Sequence, residues 1–318
     1  MGDTRIGVAA AGGDGAEVLA RIQQLEESGV DAAWLTTGGA GPDGLTILGA
    51  AAARTERIQL GTAIVPTWPR HPIVAAQQAQ VIESIAPGRF RFGLGPSHAP
   101  VISGMFGIVF DAVLSHLEEY VHIVRTLLHD GSIEFDGDRL TAHASIPDSF
   151  PDLPVMASAL RKRSFEYCGA QTDGAISWMC PLPYMRDVAV PAIKAGAESA
   201  GRPTPPIVAH IPLTVHDNAD EVRAAAREQF AIYARLPFYQ SMFELSGYPE
   251  ATQTSEWSDR MVDEIVAYGS DERVSQRINE AFELGASEVL ISVLTAGPEP
   301  EKVWDRTVGL LGELSSGG

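Results

Sequence analysis

The feature that most constrains this chain is an alternation. Eight short apolar runs recur along 318 residues, separated by segments whose apolar positions fall at helical spacing. The first strand is expected at Arg5–Ala9, with Glu17–Ser28 in its helix. The second is Asp31–Leu35, followed by a small-residue helix over Leu45–Arg54. Ile58 to Ile64 and Arg89 to Gly95 supply the third and fourth. Pro154–Ala157 is the fifth, with Arg161–Ala170 as its helix. Gly174–Ser177 is the sixth, with a helix within Tyr184–Ala200. Ile207–Thr214 is the seventh, followed by Asp220–Ala234. Glu288–Ser292 is the eighth, with a last helix within Pro300–Leu314. Eight such units in one chain argue for a single (β/α)₈ barrel domain over residues 1–318.

Two connections are longer than that plan needs. Gly131–Asp152, after the fourth helix, carries Ile133-Glu134-Phe135 and Leu140-Thr141-Ala142 around Asp136-Gly137-Asp138, which reads as a hairpin. Leu236–Tyr268, after strand seven, holds Phe238, Tyr239, Phe243, Tyr248 and Trp257, a pattern of a lid or an oligomer contact. Asp111 is expected to cap a helix with Val113, Leu117, Val121, Val124 and Leu128 on one face. A doubly wound sheet is the competing fold. It calls for GxGxxG in the first βα turn, and Ala10-Ala11-Gly12-Gly13-Asp14-Gly15 does not match.

Composition excludes several function classes. The net charge of −18 disfavours nucleic acid and acidic membrane surfaces as partners. A locally basic site for an anionic cofactor remains compatible with it. Cys168 and Cys180 show no metal-ligand or disulfide spacing. No apolar run reaches the roughly 18 residues of a membrane span, and the N-terminus reads as a strand, so a cytoplasmic location is expected.

The segment from Ile58 to Gly107 carries the densest motifs: Gly61-Thr62-Ala63-Ile64-Val65-Pro66-Thr67, Arg70-His71-Pro72, Ala76-Gln77-Gln78, Gly88-Arg89-Phe90, Gly93-Leu94-Gly95-Pro96-Ser97-His98 and Gly104-Met105-Phe106-Gly107. In these motifs the chain resembles the luciferase-like monooxygenase superfamily, and its coenzyme F420-dependent oxidoreductase branch in particular. The resemblance runs from Arg5 to about Gly312. It implies hydride transfer between a deazaflavin and a small organic substrate, in a homodimer. Reduction of a C=C or C=N bond is the expected reaction. The alternative is an FMN-dependent monooxygenase using dioxygen on the same barrel. A barrel that only binds a flavin-like ligand is a further, non-enzymatic reading.

The resemblance also assigns residues. A cis non-proline peptide behind the cofactor ring would fall at Ala63–Ile64, with Gly61, Thr62 and Gly95 beside it. Phosphate or ribityl contacts would fall on the amides of Ala157, Ser158 and Ala159, and near Trp178. Arg161-Lys162-Arg163 opens a helix, where cations oppose the helix dipole unless an anion binds there. Trp68 in its loop is a candidate wall for a flat substrate. His98 is the candidate proton donor; as a bare loop histidine it suits a surface position equally. His71 suits either the anionic tail or a helix start. Some sugar-phosphate dehydrogenases of the family carry an Asp-His pair after strand two, where this chain has Thr36-Thr37-Gly38-Gly39. The base for alcohol oxidation is therefore missing from that place. No metal is expected.

Overall fold

The computed structural model describes residues 4–316. Its centre is a closed barrel of eight parallel strands. In chain order these are β1 (Arg5–Ala9), β2 (Ala32–Leu35), β3 (Gln59–Thr62), β4 (Phe90–Gly95), β5 (Val155–Ser158), β6 (Ala175–Trp178), β7 (Ile207–Val215) and β8 (Glu288–Val293). Each pairs with its sequence neighbours, and β8 closes on β1 with Gly7 opposite Leu290. Helices connect successive strands and pack outside the barrel, as eight right-handed βα units require.

Period two along each strand sorts side chains into two sets. Val8, Ala33, Leu60, Phe92 and Ala157 face the helices and join the large core between barrel and shell. Ala32, Trp34, Met156, Ile176, Val208 and Leu290 face inward and fill the barrel. One buried polar group plugs its lower end. Arg91 is ion-paired with Glu288, Trp34 Nε1 donates to Glu288 Oε1 at 2.6 Å, and the Arg91 guanidinium lies 4.4 Å from the Trp34 ring centre. Glu288 takes both terminal nitrogens of Arg91 and the Trp34 N–H, which offsets much of the cost of holding charge in a core, while Arg91 Nε has no partner among the described residues.

Both expected insertions are present. Ser132–Asp136 and Thr141–Ser145 pair antiparallel, with Phe135 opposite Ala142. After β7 and helix Ala219–Gln229, the chain builds helices Pro237–Leu245, Glu250–Thr254 and Asp259–Ile265. It then adds a strand, Ala267–Gly269, beside the end of β7. This segment joins the large core: Phe243 packs edge-on against Trp257, and the Cys180 thiol, just after β6, donates to Met242 Sδ at 3.5 Å.

Three local expectations change. The third strand stops at Thr62, and a two-residue strand, Val65–Pro66, resumes against β4. Asp111 does not cap the helix Val113–Asp130; its carboxylate instead accepts from Arg139 of the hairpin at 2.7 Å. Helix Ala99–Phe106, directly after His98, was hidden by its glycine and proline content and ends at Gly107 in the left-handed region (φ 67°).

Candidate active site

The site is built from what the inward-facing set becomes at the carboxyl ends of the strands. There, apart from Trp178, the residues turn small or polar: Ala9, Thr36, Ala63, Gly95, Ser158, His210 and Ser292. Bulky groups fill the barrel below them, so the top layer is a shallow floor.

The Ala63–Ile64 peptide is cis, at the bond where the resemblance placed it. Neighbouring β2 clasps it. Ala63 N donates to Leu35 O at 2.8 Å, Thr36 Oγ1 donates to Ala63 O at 2.7 Å, and Thr37 N donates to Ile64 O at 3.3 Å. Gly95 stands across from it. A Cβ at Gly95 would lie 2.5 Å from Ser158 Oγ and 2.8 Å from Ile64 Cγ1. Three of the sequence candidates, Ile64, Gly95 and Ser158, thus meet in one tight cradle.

Other candidates serve the barrel instead. A Cβ on Gly61 would run into the Trp34 ring, so the flat group that this glycine admits is that indole. Thr62 is fully buried; its hydroxyl donates to Gly93 O and accepts from Gly93 N, both at 2.8 Å, bridging β3 and β4 where the ladder breaks. Ala157 and Ala159 belong to the core between strands and helices. Their amides donate to Gly174 O and Ile176 O in the β6 ladder. The expectation that these two amides serve a phosphate is therefore corrected. Leu160 N and Arg161 N are likewise taken, both by Ser164 Oγ. In this first turn, only the Lys162 and Arg163 amides lack a carbonyl one turn back.

The cationic run divides. Arg161 reaches toward the second insertion, its guanidinium 5.7 Å from the Phe238 ring centre. Arg163 turns away, into a groove of about 710 Å³ between helices Val113–Asp130, Lys162–Gln171 and Val190–Ser199. That groove is lined by helix residues alone and touches no strand end. His71 acts as a helix cap, its Nδ1 accepting from Ile73 N at 3.3 Å. Arg70 pairs with Asp43 at 2.5 Å.

Two aromatic groups stand at the mouth. Trp68 stacks on His116 with ring centres 3.7 Å apart, and His116 Nε2 meets Thr67 Oγ1 at 3.1 Å. One face of Trp68 is thereby occupied. His98 lies elsewhere, edge-on to Tyr233 (5.7 Å), in the turn before the second insertion, and to Tyr239 (5.9 Å) within it. Trp178 sits 4.2 Å from His210 and touches Phe230 and Tyr233. The insertion, with the turn that carries Phe230 and Tyr233 before it, therefore walls the mouth over β4 and β6. Burial lowers the pKa of His98, and pushes His116 to about 4 and His210 to about 3, so desolvation keeps these imidazoles neutral near pH 7.

Sequence reading passes over His210 and Ser292, whose Nε2 and Oγ lie 2.8 Å apart. The signal was available: each is a polar residue two positions after an inward apolar one, Val208 or Leu290. Beside them, at the ends of β1, β2 and β8, a cavity of about 240 Å³ is walled by Ala9, Thr36, Gln229, Ser292 and their neighbours. Among the described residues no helix is long and apolar enough to cross a membrane.

The sequence matches the family model for luciferase-like monooxygenases over residues 3–288. A 5,10-methylenetetrahydromethanopterin reductase of Methanolobus tindarius is 25% identical over 297 residues, spanning 87% of this chain and 90% of that one. An F420-dependent glucose-6-phosphate dehydrogenase of Nocardia farcinica is 31% identical over 249 residues, spanning 72% and 74%. Among solved structures, an F420-dependent secondary alcohol dehydrogenase in complex with an F420–acetone adduct superimposes with a TM-score of 0.81 at 18% identity, over 97% of this chain and 99% of that chain.

Proposed function

The chain belongs to the luciferase-like monooxygenase family, and from that premise we propose that it is a coenzyme F420-dependent oxidoreductase acting on a small organic substrate, by reduction of a C=C or C=N bond. The observation that carries the reading is the floor of the mouth. Ala63, Ile64, Gly95 and Ser158 form a cradle that a single added Cβ would fill, which suits the edge and face of a planar tricyclic ring. The relatives named above supply the choice of cofactor.

When bound, the reduced deazaflavin supplies a hydride. The chain's own residues bind and orient. Ile64 and Gly95 support the ring, Ser158 Oγ offers it a hydrogen bond, and Trp178 closes one side. Arg161 at the rim meets the anionic tail, together with the free amides of the following helix turn. Tyr233 and Tyr239 exclude water over His98. His98 is the proposed proton donor to the substrate atom next to the one that takes the hydride, a contribution of about 10²- to 10⁴-fold; its lowered pKa means that it takes up that proton before each turnover and gives it up readily. Val74, Val81 and Ile85 form an exposed apolar stripe on helix Pro72–Ile85, and this face is the proposed contact of a homodimer.

A second reading, an FMN-dependent monooxygenase using dioxygen, is favoured by the family's own description. One experiment separates the two. The purified protein is titrated with F420 and with FMN by fluorescence, then assayed for cofactor oxidation against enones, imines and alcohols, with and without air. Tight F420 binding and oxygen-independent turnover support the first reading. FMN binding with oxygen-dependent turnover replaces it.

A further inference from the structure

On a chain of net charge −18, the cavity at the ends of β1, β2 and β8 is unusual: every residue that lines it is uncharged. Its polar side chains are Thr36, Gln229 and Ser292. Thr36 Oγ1 already donates to Ala63 O. Ser292 is different. Its Oγ meets His210 Nε2 at 2.8 Å on one side and the cavity on the other. His210 is in turn held by Trp178, 4.2 Å away. With the imidazole proton on Nε2, His210 donates to Oγ and leaves the Ser292 hydrogen free to point into the cavity. Burial keeps the imidazole neutral, so the pair adds no charge to the wall.

We propose that this cavity is the acceptor subsite, that it takes an uncharged carbonyl compound such as a cyclic enone, and that Ser292, positioned by His210, hydrogen-bonds the carbonyl oxygen. The proposal rests on the F420-dependent reading above and names its substrate class. A carboxylate or phosphate entering here would shed its water and meet no counter-charge. A carbonyl needs one donor, which Ser292 supplies. The volume of about 240 Å³ suits a small ring. The cavity also borders the floor, because Thr36 lines it and touches the Ala63 carbonyl.

The test measures binding to the purified chain, with and without F420, by ligand-observed NMR and calorimetry. The probes are 2-cyclohexenone, cyclohexene-1-carboxylate and cyclohexylamine. The enone should bind, and the two charged probes should bind at least roughly ten-fold more weakly. Ser292→Ala should weaken the enone roughly three- to ten-fold, the effect of one lost hydrogen bond, and leave the F420 dissociation constant unchanged. His210→Phe should match it, the double variant should be no worse than Ser292→Ala, and His210→Gln should restore part of the loss. Gln229 sits at an exposed helix end on the cavity wall, so Gln229→Arg should fold normally and raise carboxylate affinity toward that of the enone. Equal binding of carboxylate and enone, or unchanged enone affinity in Ser292→Ala, would overturn the proposal. A Ser292→Ala effect on F420 itself would overturn it as well, by giving the cavity to the cofactor. Enone binding with no F420 binding would sink the cofactor reading and leave the subsite standing.

Discussion

Arg161 and Arg163 stand two positions apart and face different surroundings. The first lies over Phe238, on the insertion that walls the mouth; the second lies in the groove between three outer helices. A cofactor tail at the rim therefore meets one and not the other. Arg161→Glu should weaken F420 binding roughly ten-fold, replacing an attractive contact by a repulsive one, and added salt should partly mimic the change. Arg163→Glu should leave the affinity as it is. Fluorescence titration of both variants decides this, and equal losses from the two would remove the first helix turn from the tail site. The residue scale also explains why small residues mislead. Gly61 and Gly95 read alike in sequence, yet one makes room for an indole inside the barrel and the other for the open floor.

Among the elements, the second insertion matters most to the site. It reaches His98 with Tyr239, and the turn just before it reaches His98 with Tyr233 and Trp178 with Phe230. Its own centre is Phe243, fully buried between Tyr248 and Trp257. It is a packed rim rather than a loose flap. Phe243→Ala should cost about 3–5 kcal/mol within this element. The loss should appear as local opening of this element. Hydrogen exchange should speed up across Pro237–Ile265 while β1 to β8 stay protected, and KM should rise. Uniformly faster exchange would instead join insertion and barrel in one cooperative unit. Both insertions were legible in the sequence as connections too long for a βα loop. The helix after β4 was not, since Pro100, Gly104 and Gly107 break the spacing that marks a helix.

For the whole molecule, two consequences follow from what is buried and what is left bare. His116 is buried against Trp68 and its pKa falls from 6.5 to about 4. An imidazole harder to protonate folded than unfolded stabilises the fold fully above the unfolded value, and that stability is lost as the pH falls toward the folded one. Denaturant midpoints should therefore drop between about pH 6.5 and pH 4, and His116→Gln should flatten part of that slope. An unchanged slope would assign the acid sensitivity to His98, His210 and the carboxylates. Val74, Val81 and Ile85 are 45%, 54% and 45% exposed on one helix. Val81→Lys should shift sedimentation from a dimer to a single-chain species with the barrel intact. A wild-type protein that sediments at 33.9 kDa throughout the micromolar range would remove this interface.

The short strands Val65–Pro66 and Ala267–Gly269 were not legible in the sequence, whereas the order of the eight barrel strands and the place of both insertions were. Those are local matters: apolar period and turn residues act over a few positions, and eight βα units have one common way to close. Even the Ala63–Ile64 bond could be pointed to, because its motif is contiguous. Only the tertiary structure decided which way each strand-end residue faces. Ala157 and Ala159 turn toward the helices and Thr62 bridges to Gly93, while Ala63, Gly95 and Ser158 turn toward the mouth, because pairing with neighbouring strands fixes the pleat. It also decided the meetings across long separations. His210 and Ser292 are 82 positions apart, and His98 finds its walls in Tyr233 and Tyr239. No local pattern records such pairs; they exist once closure of the barrel puts β4, β6, β7 and β8 around one mouth.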